Sequence, residues 1–254
     1  MTGYRVLLRK ELLEQLRTMR LGIVVIVYLV FGILSPVLAR YMPELITGML
    51  PPDQVPLRLP TPTTTDAIDQ FIKNVGGTLT LAGVLLAMGM IAAEKERGTA
   101  AFILTKPAGR GAFVTAKLTA LAVTLGVALA ASGAAAYAYT VWLFEPVSAG
   151  GFAAMVLLVW LAQLSIASLT LLASALVRSV VAAGAIGFAA YAVLALVSGL
   201  PTIGSCTPAG LQNAAGQLVM GQAPSTLGVA VVANVVLVAG SAVLAWLALR
   251  RQEI

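Results

Sequence analysis

The residues with the strongest chemical character lie in one charged interval between two long apolar runs. Four consecutive charged residues, 94–97, follow the uncharged run 75–93, and Lys117 precedes the uncharged run 118–144. Charges at this density cannot lie in hydrocarbon, so the 94–117 connection must lie in water between two membrane crossings. Side chains of both signs can pair with charges on a partner protein, which favours register and encounter more than affinity. The spacing therefore predicts a surface that docks a partner.

Several residues of the 94–117 connection are candidates for contact with that partner. The candidates are Glu94, Glu96, Arg97, Gly98, Thr99, Pro107 and Arg110. The first two lie where the second crossing leaves the lipid, so a force on the connection would move that crossing. The residues after Gly98 can form a short amphipathic segment that Pro107 stops. The alternative is a solvated connection whose charges only fix the membrane topology.

The sequence excludes most reaction chemistry within this chain. Histidine is absent and Cys206 is the single cysteine, which removes histidine acid–base catalysis, Cys/His metal sites and any internal disulfide. The chain has no G-x-x-x-x-G-K-[ST] pattern for ATP and no paired acidic motif in a span for Mg²⁺ and a diphosphate. We expect no catalytic, metal or cofactor site here. Transport is therefore passive, or a second protein supplies the work.

Composition and hydropathy predict an all-α integral membrane protein. Of 254 residues, 59% are hydrophobic and 10% are charged, against about 25% charged in soluble domains. Crossings of about 20 apolar residues each give six spans in one transmembrane domain, 1–254. The predicted spans are 21–39, 75–93, 118–144, 152–177, 180–200 and 227–249. We expect a polar external loop over 40–73 and short external helices over 201–226, where prolines interrupt the apolar run.

Residues 1–20 form a helix candidate with an apolar stripe. Leucines and a methionine recur at helical spacing, at Leu8, Leu12, Leu16 and Met19, with the charges of Lys10, Glu11, Glu14 and Arg17 mostly opposite. This pattern predicts an amphipathic helix lying flat at the membrane interface; a solvated leader is the alternative. The apolar run 21–39 has the length of a span, which argues against a cleaved signal.

The distribution of charge predicts the topology. Six spans place 13 of the 16 basic residues on the side that holds both termini and the 94–117 connection, whereas the acidic residues divide equally. Basic residues mark the cytoplasmic side, so we expect cytoplasmic termini in a multi-pass protein of the plasma (inner) membrane. The net charge of +6 reflects this topology and indicates no nucleic-acid partner.

No ionisable residue lies in the middle of a predicted span, where proton-coupled transporters and pumps usually place one. The notable polar side chains there are Gln163 and Asn234. For each we predict an interhelical hydrogen bond.

The chain resembles the membrane subunits of type-2 ABC exporters over nearly its whole length. The resemblance depends on four features: Glu94-x-Glu96-x-Gly98-Thr99 with Pro107, Arg110 and Lys117; the N-terminal helix; the segment 175–179; and Thr207-Pro208 with Gly221. In that family the first cytoplasmic connection forms a coupling helix that enters a groove on the ATPase.

The resemblance implies the permease half of an ATP-driven exporter. Two such subunits, identical or paired with a homologue, would enclose a pathway in the bilayer, and soluble ABC ATPase subunits would dock on the 94–117 connections. ATP and Mg²⁺ would bind to those ATPase subunits and not to this chain. A passive channel or uncoupled carrier, and a membrane assembly subunit without a pathway, are the alternatives. The apolar spans do not identify the substrate.

Overall fold

The computed structural model describes residues 2–49, 60–99, 109–201, 203–222 and 224–252, and every regular element in these ranges is helical. A π-helical segment, Ile72–Thr78, joins two of the α-helices, and a 3₁₀ turn spans Gly204–Cys206. The α-helices of the described residues are α1 Thr2–Arg17, α2 Arg20–Met49, α3 Thr64–Phe71, α4 Thr80–Glu96, α5 Arg110–Leu143, α6 Ala149–Leu176, α7 Val180–Val197, α8 Pro208–Val219 and α9 Leu227–Arg251.

The prediction of six membrane-crossing helices is confirmed. The described residues contain six helices long and apolar enough to cross a membrane: α2, the continuous stretch from α3 to α4, α5, α6, α7 and α9. Six crossings bring both ends of the chain to one end of the bundle, which we call the charged end. Ion pairs there join α1 to α4, and the end of α9 contacts the start of α5.

The first crossing is longer than the sequence predicted. The span was expected to end at residue 39, but α2 continues through Pro43 to Met49. Apolar side chains such as Tyr41 and Leu45 continue along this extension, and proline is tolerated in transmembrane helices when nearby groups satisfy the freed backbone. The first ten residues of the expected polar loop 40–73 are therefore helical, and its last part belongs to α3 and the π-helical segment.

Helix α6 lies at the centre of the bundle and packs against α4, α5, α7, α8 and α9. Small residues let α5 approach α6 and α2 closely, as expected for helices in lipid. A Cβ placed on Gly133 of α5 would lie 2.6 Å from Cγ2 of Val156, and one on Gly32 of α2 would lie 2.5 Å from the carbonyl oxygen of Ser132. Larger residues at these two glycines would push the helices apart.

The π-helical segment interrupts the second crossing and exposes backbone carbonyls inside the bundle. The Leu79 amide donates to the Asn74 carbonyl (3.0 Å), five residues back. Side chains from other helices satisfy the freed oxygens: the Gln163 amide donates to the Val75 carbonyl, and Gln212 donates to the Gly76 carbonyl (2.8 Å). The Tyr28 hydroxyl donates to Oε1 of Gln163 (2.7 Å) and lies 2.9 Å from the Leu79 carbonyl oxygen.

The interhelical hydrogen bond predicted for Gln163 is confirmed, because its side chain joins α6 to α2 and to the π-helical segment. The same prediction is wrong for Asn234. Its amide donates to the Ala230 carbonyl of its own helix (2.9 Å), a local acceptor that competes with any acceptor on a neighbouring helix.

The interval 201–226 contains the 3₁₀ turn and α8. Thr207 caps α8 by accepting a hydrogen bond from the Gly210 amide (3.1 Å), and Pro208 occupies the first turn, where its missing N–H costs nothing. The buried face of α8 includes Leu211 and Ala215. Since α8 packs on α6 and α9, its backbone is covered by protein at this depth.

We expect Gln163→Leu to destabilise the bundle by about 1–2 kcal/mol, because the Val75 carbonyl and the Tyr28 hydroxyl lose a buried partner. The exposed Gln222 provides the control: Gln222→Leu should leave the free energy of unfolding unchanged. Unfolding in mixed micelles with increasing SDS measures both. Equal stability of the two variants would contradict the assignment.

Candidate functional site

The two edges of the 94–117 connection lie side by side at the charged end of the bundle. Helix α4 ends at Glu96 and α5 begins at Arg110. Residues 100–108 lie outside the described residues, and with them Pro107, one of the predicted site residues. The other predicted site residues belong to the described edges.

A buried lysine connects both edges to α1. The Nζ atom of Lys117, in α5, lies 3.0 Å from Oε1 of Glu11 in α1 and 3.0 Å from Oε1 of Glu94 in α4. Lys10 completes the group, with its Nζ atom 2.6 Å from Oε1 of Glu94 and 3.1 Å from Oε1 of Glu11. We call these four residues the Lys117 cluster. It joins α1, α4 and α5 through side chains alone.

Burial makes the pairing in the Lys117 cluster obligatory. Lys117 is 1% exposed and Glu11 is 5% exposed. An ion removed from water costs several kcal/mol unless close opposite charges compensate for the lost hydration. Two ammonium groups meet two carboxylates here, so the cluster is neutral as a unit. The Phe113 ring, with its centroid 4.8 Å from Nζ of Lys117, adds a cation–π contact.

The electrostatics of Lys10 follow from the same contacts. Partial burial alone would lower the pKa of Lys10, but the hydrogen bond to Glu94 and the charges of Glu11 and Glu94 outweigh it and raise that pKa above its ordinary value. Lys10 therefore remains charged at neutral pH and holds Glu94 in place.

Helix α1 turns a partly polar face toward the bundle. Glu11 and Gln15, one turn apart, are both buried, and Gln15 accepts a hydrogen bond from the Thr124 hydroxyl of α5. The Tyr4 hydroxyl donates to Oγ1 of Thr119 (3.0 Å). The sequence placed Glu11 mostly opposite the apolar stripe, and the structure turns this side chain into the bundle, because Lys117 offers it a buried partner. Leu16 is among the exposed apolar residues of α1.

The turn from α1 to α2 is tight. Met19 has a φ of 58°, in the left-handed region that side chains other than glycine rarely adopt. The Thr18 hydroxyl closes the end of α1 by donating to the Glu14 carbonyl (2.7 Å). Since a left-handed conformation costs about 1–2 kcal/mol, the contacts of α1 with α5 must hold this elbow.

Two further cations tie the edges of the connection to the end of α9. Nη1 of Arg110 donates to the carbonyls of Leu249 (2.7 Å) and Arg250 (2.8 Å). Nζ of Lys95 donates to Oε1 of Gln252 (2.8 Å) and to the Ala175 carbonyl at the end of α6. Cations at these positions satisfy carbonyls that helix ends leave unpaired and complement the helix dipole.

The predicted site residues therefore divide into two groups. The side chains of Glu94 and Arg110 are paired within the chain. Glu94 belongs to the Lys117 cluster, and Arg110 donates to carbonyls at the end of α9. Glu96, Arg97, Gly98 and Thr99 are exposed. Gly98 has a φ of 70°, so it ends α4 in a conformation that favours glycine. Contact of any of these residues with a partner stays a prediction.

Three carboxylates at the charged end could in principle hold a cation. One oxygen each from Glu11, Glu14 and Glu94 lies within 4.8 Å of the others. The ammonium groups of Lys10 and Lys117 lie among them at 2.6–3.7 Å and already supply positive charge. The arrangement therefore favours ion pairing over metal binding.

The sequence analysis missed the roles of Lys10, Glu11 and Lys117. Lys117 marked the end of the charged interval, but nothing near it in sequence indicated that it is buried. Its contact with Glu11 joins residues 106 positions apart. A lysine next to a long apolar run, with a carboxylate on a neighbouring amphipathic helix, is the one pattern that could have suggested the pair.

We expect Lys117→Met to lower the free energy of unfolding by about 3–5 kcal/mol, because the buried Glu11 and the partly buried Glu94 lose their shared partner and leave an excess negative charge in the cluster, while the packing volume is kept. The exposed Arg5 gives the control, and Arg5→Met should cost less than about 0.5 kcal/mol. Adding Glu94→Gln to Lys117→Met should recover part of the loss, since the cluster then contains one lysine and one glutamate and is neutral again. Unfolding in mixed micelles tests this, and a Lys117→Met protein as stable as Arg5→Met would contradict it.

Comparisons with known proteins identify the family of this chain. The family model described as ABC-2 family transporter protein matches residues 5–222, which include most of α1 and the whole Lys117 cluster. The chain is 30% identical over 196 residues to YxlG, a transmembrane protein of Bacillus subtilis (strain 168), and the match covers 76% of each chain. This chain therefore belongs to the ABC-2 family of transporter proteins.

Proposed function

We propose that this chain is the permease subunit of an ATP-binding cassette exporter that a separate ATPase subunit drives. Membership of the ABC-2 family makes it a transporter membrane component. The proposed coupling to an ATPase depends on one observation. The exposed residues 96–99 lie on an edge that the Lys10–Glu94 ion pair joins to α1 and the Lys95–Gln252 hydrogen bond joins to the end of α9. An edge held in this way can transmit a force from a partner protein to α1 and α9 without unfolding locally.

The docking surface in this proposal is the exposed part of the 94–117 connection. Glu96, Arg97 and Thr99 lie at the end of α4 with their side chains exposed, where complementary charges on an ATPase can steer and register it. Glu94 takes no part in docking, because Lys10 and Lys117 already hold it. ATP and Mg²⁺ bind on the ATPase.

The route by which ATPase motion reaches the membrane follows from the contacts at the charged end. Displacing the end of α4 pulls on the Lys117 cluster and thereby on α1 and α5. The same displacement pulls on Gln252 through Lys95, and α5 is fastened to α9 through Arg110. The helices at the connection would thus move together, and a second permease subunit, identical or homologous, would complete the pathway.

The charged end faces the cytoplasm in this proposal, at the plasma membrane, because it carries 12 of the 14 basic residues that the structure describes. Helix α1 then lies on the inner leaflet. Its outer face combines the exposed apolar residues Val6, Leu13 and Leu16 with Arg5 and Arg9. That combination suits the boundary between headgroups and acyl chains.

We expect Glu96→Lys to reduce the ATPase activity that co-purifies with the tagged chain from its native membranes by roughly tenfold, since a reversed charge in an interface costs a few kcal/mol. Glu145, exposed at the opposite end of the bundle, is the control. Glu145→Lys should carry the wild-type activity, and both variants should keep wild-type stability.

Two results would contradict the proposal. One is a wild-type preparation that carries no P-loop ATPase. The other is Glu96→Lys material that retains the full co-purified activity. Glu94→Lys cannot substitute for Glu96→Lys here, because it breaks the Lys117 cluster and would lower activity through loss of stability.

A further inference from the structure

A groove at the charged end of the bundle opens at the surface between α2, α4 and the start of α7. Its volume is about 540 Å³, within the range of sites for small molecules. Aliphatic side chains such as Ile23, Val27 and Leu85 form most of its walls. Ile23 is 59% exposed and Leu85 is 63% exposed, so the groove is open along its length.

The groove extends into the apolar layer from its charged mouth. Arg20 begins α2, and Val27 lies about two helical turns further along, which corresponds to about 10 Å at 1.5 Å per residue. Apart from the arginines, the lining residues are apolar, so water gains no hydrogen bonds from their side chains. An acyl chain fits a groove of this depth and polarity better than water does.

The mouth of the groove carries positive charge. Arg20 and Arg97 are its only charged lining residues, and among the described residues neither guanidinium group lies within 4.0 Å of a carboxylate oxygen. The carboxylates nearby, Glu11, Glu14 and Glu94, each already lie within 3.7 Å of a lysine Nζ atom. The N-terminus of α7, beside Val180, adds a partial positive charge.

We propose that this groove binds an anionic phospholipid from the leaflet at the charged end. One acyl chain lies along Ile23, Val27 and Leu85, and the phosphate group lies between Arg20 and Arg97. Guanidinium groups match phosphate oxygens through paired N–H donors, and each basic residue near a membrane surface attracts anionic lipid by about 1 kcal/mol. The site is built from this chain alone, and because Arg97 also belongs to the proposed docking surface, lipid binding is tested without the ATPase.

The test uses a fluorophore in the groove and nitroxide-labelled lipids as quenchers. Bimane is attached to Leu85→Cys in a Cys206→Ser background, and the protein is reconstituted in vesicles containing nitroxide-labelled phosphatidylglycerol or phosphatidylcholine. The control label is placed at Val236 of α9, which is equally exposed at 63% but lies outside the groove. We expect phosphatidylglycerol to quench the groove label at a roughly tenfold lower concentration than phosphatidylcholine, and no such preference at Val236.

Matched variants distinguish lipid binding in the groove from a general attraction of anionic lipids to basic residues. Arg20→Gln with Arg97→Gln should abolish the preference, whereas Arg5→Gln with Arg9→Gln, which removes the same charge from the exposed face of α1, should retain it.

A second pair of variants tests the apolar part of the groove. A Cβ on Gly89 would make only ordinary contacts, at 3.8 Å from Val180, so Gly89→Leu should fill the groove and weaken quenching, while Gly240→Leu on α9 should not.

Three results would overturn the proposal. The first is equal quenching of the Leu85 label by the two lipids. The second is a preference that survives Arg20→Gln with Arg97→Gln, or one that Arg5→Gln with Arg9→Gln removes to the same extent. The third is a label shielded from both lipids in a dimeric preparation, which would show that a second copy of the chain covers the groove.

Discussion

A buried ammonium group determines how the charged end of this protein is built. Lys117 is withdrawn from water, and a carboxylate from α1 and another from α4 lie 3.0 Å from its Nζ atom. An ion at this degree of burial is tolerated only with close partners of opposite charge. Helix α1 therefore cannot leave the bundle, and α4 cannot slide along α5, without depriving Lys117 of one of its two carboxylates. Three segments that are distant in sequence are held in one register.

This constraint separates charges that hold the structure from charges that are available to a partner. Glu94 and Arg110 satisfy groups within the chain, while Glu96 and Arg97 on the same edge are exposed. A firmly held edge with free charges is what a transporter membrane component needs if another protein moves it. The arginine-lined groove lies directly beside this edge, so a lipid bound there would contact α2 and α4 where the proposed force is applied.

Hydropathy was sufficient to predict the six crossings, because each needs a long apolar run and few other structures can use one. Helix ends were less predictable: α2 does not end at residue 39, since apolar side chains such as Tyr41 and Leu45 continue beyond it. The roles of Glu94, Glu11 and Arg110 could not be predicted, because their partners lie 84, 106 and 139 residues away. The hydrogen bond of Gln163 could be predicted, but its acceptor could not, since the π-helical segment has no recognisable sequence pattern.

The central claim is that α1 and the 94–117 connection move as one unit, and a distance measurement tests it most directly. Spin labels at Arg9→Cys on α1 and Thr99→Cys at the end of α4, in a Cys206→Ser background, are followed by pulsed electron resonance in the complex with the ATPase, with and without trapped nucleotide. The account predicts a distance between the two labels that does not change while other helices rearrange. A change of several ångströms, with α1 left behind as the connection moves, would contradict it.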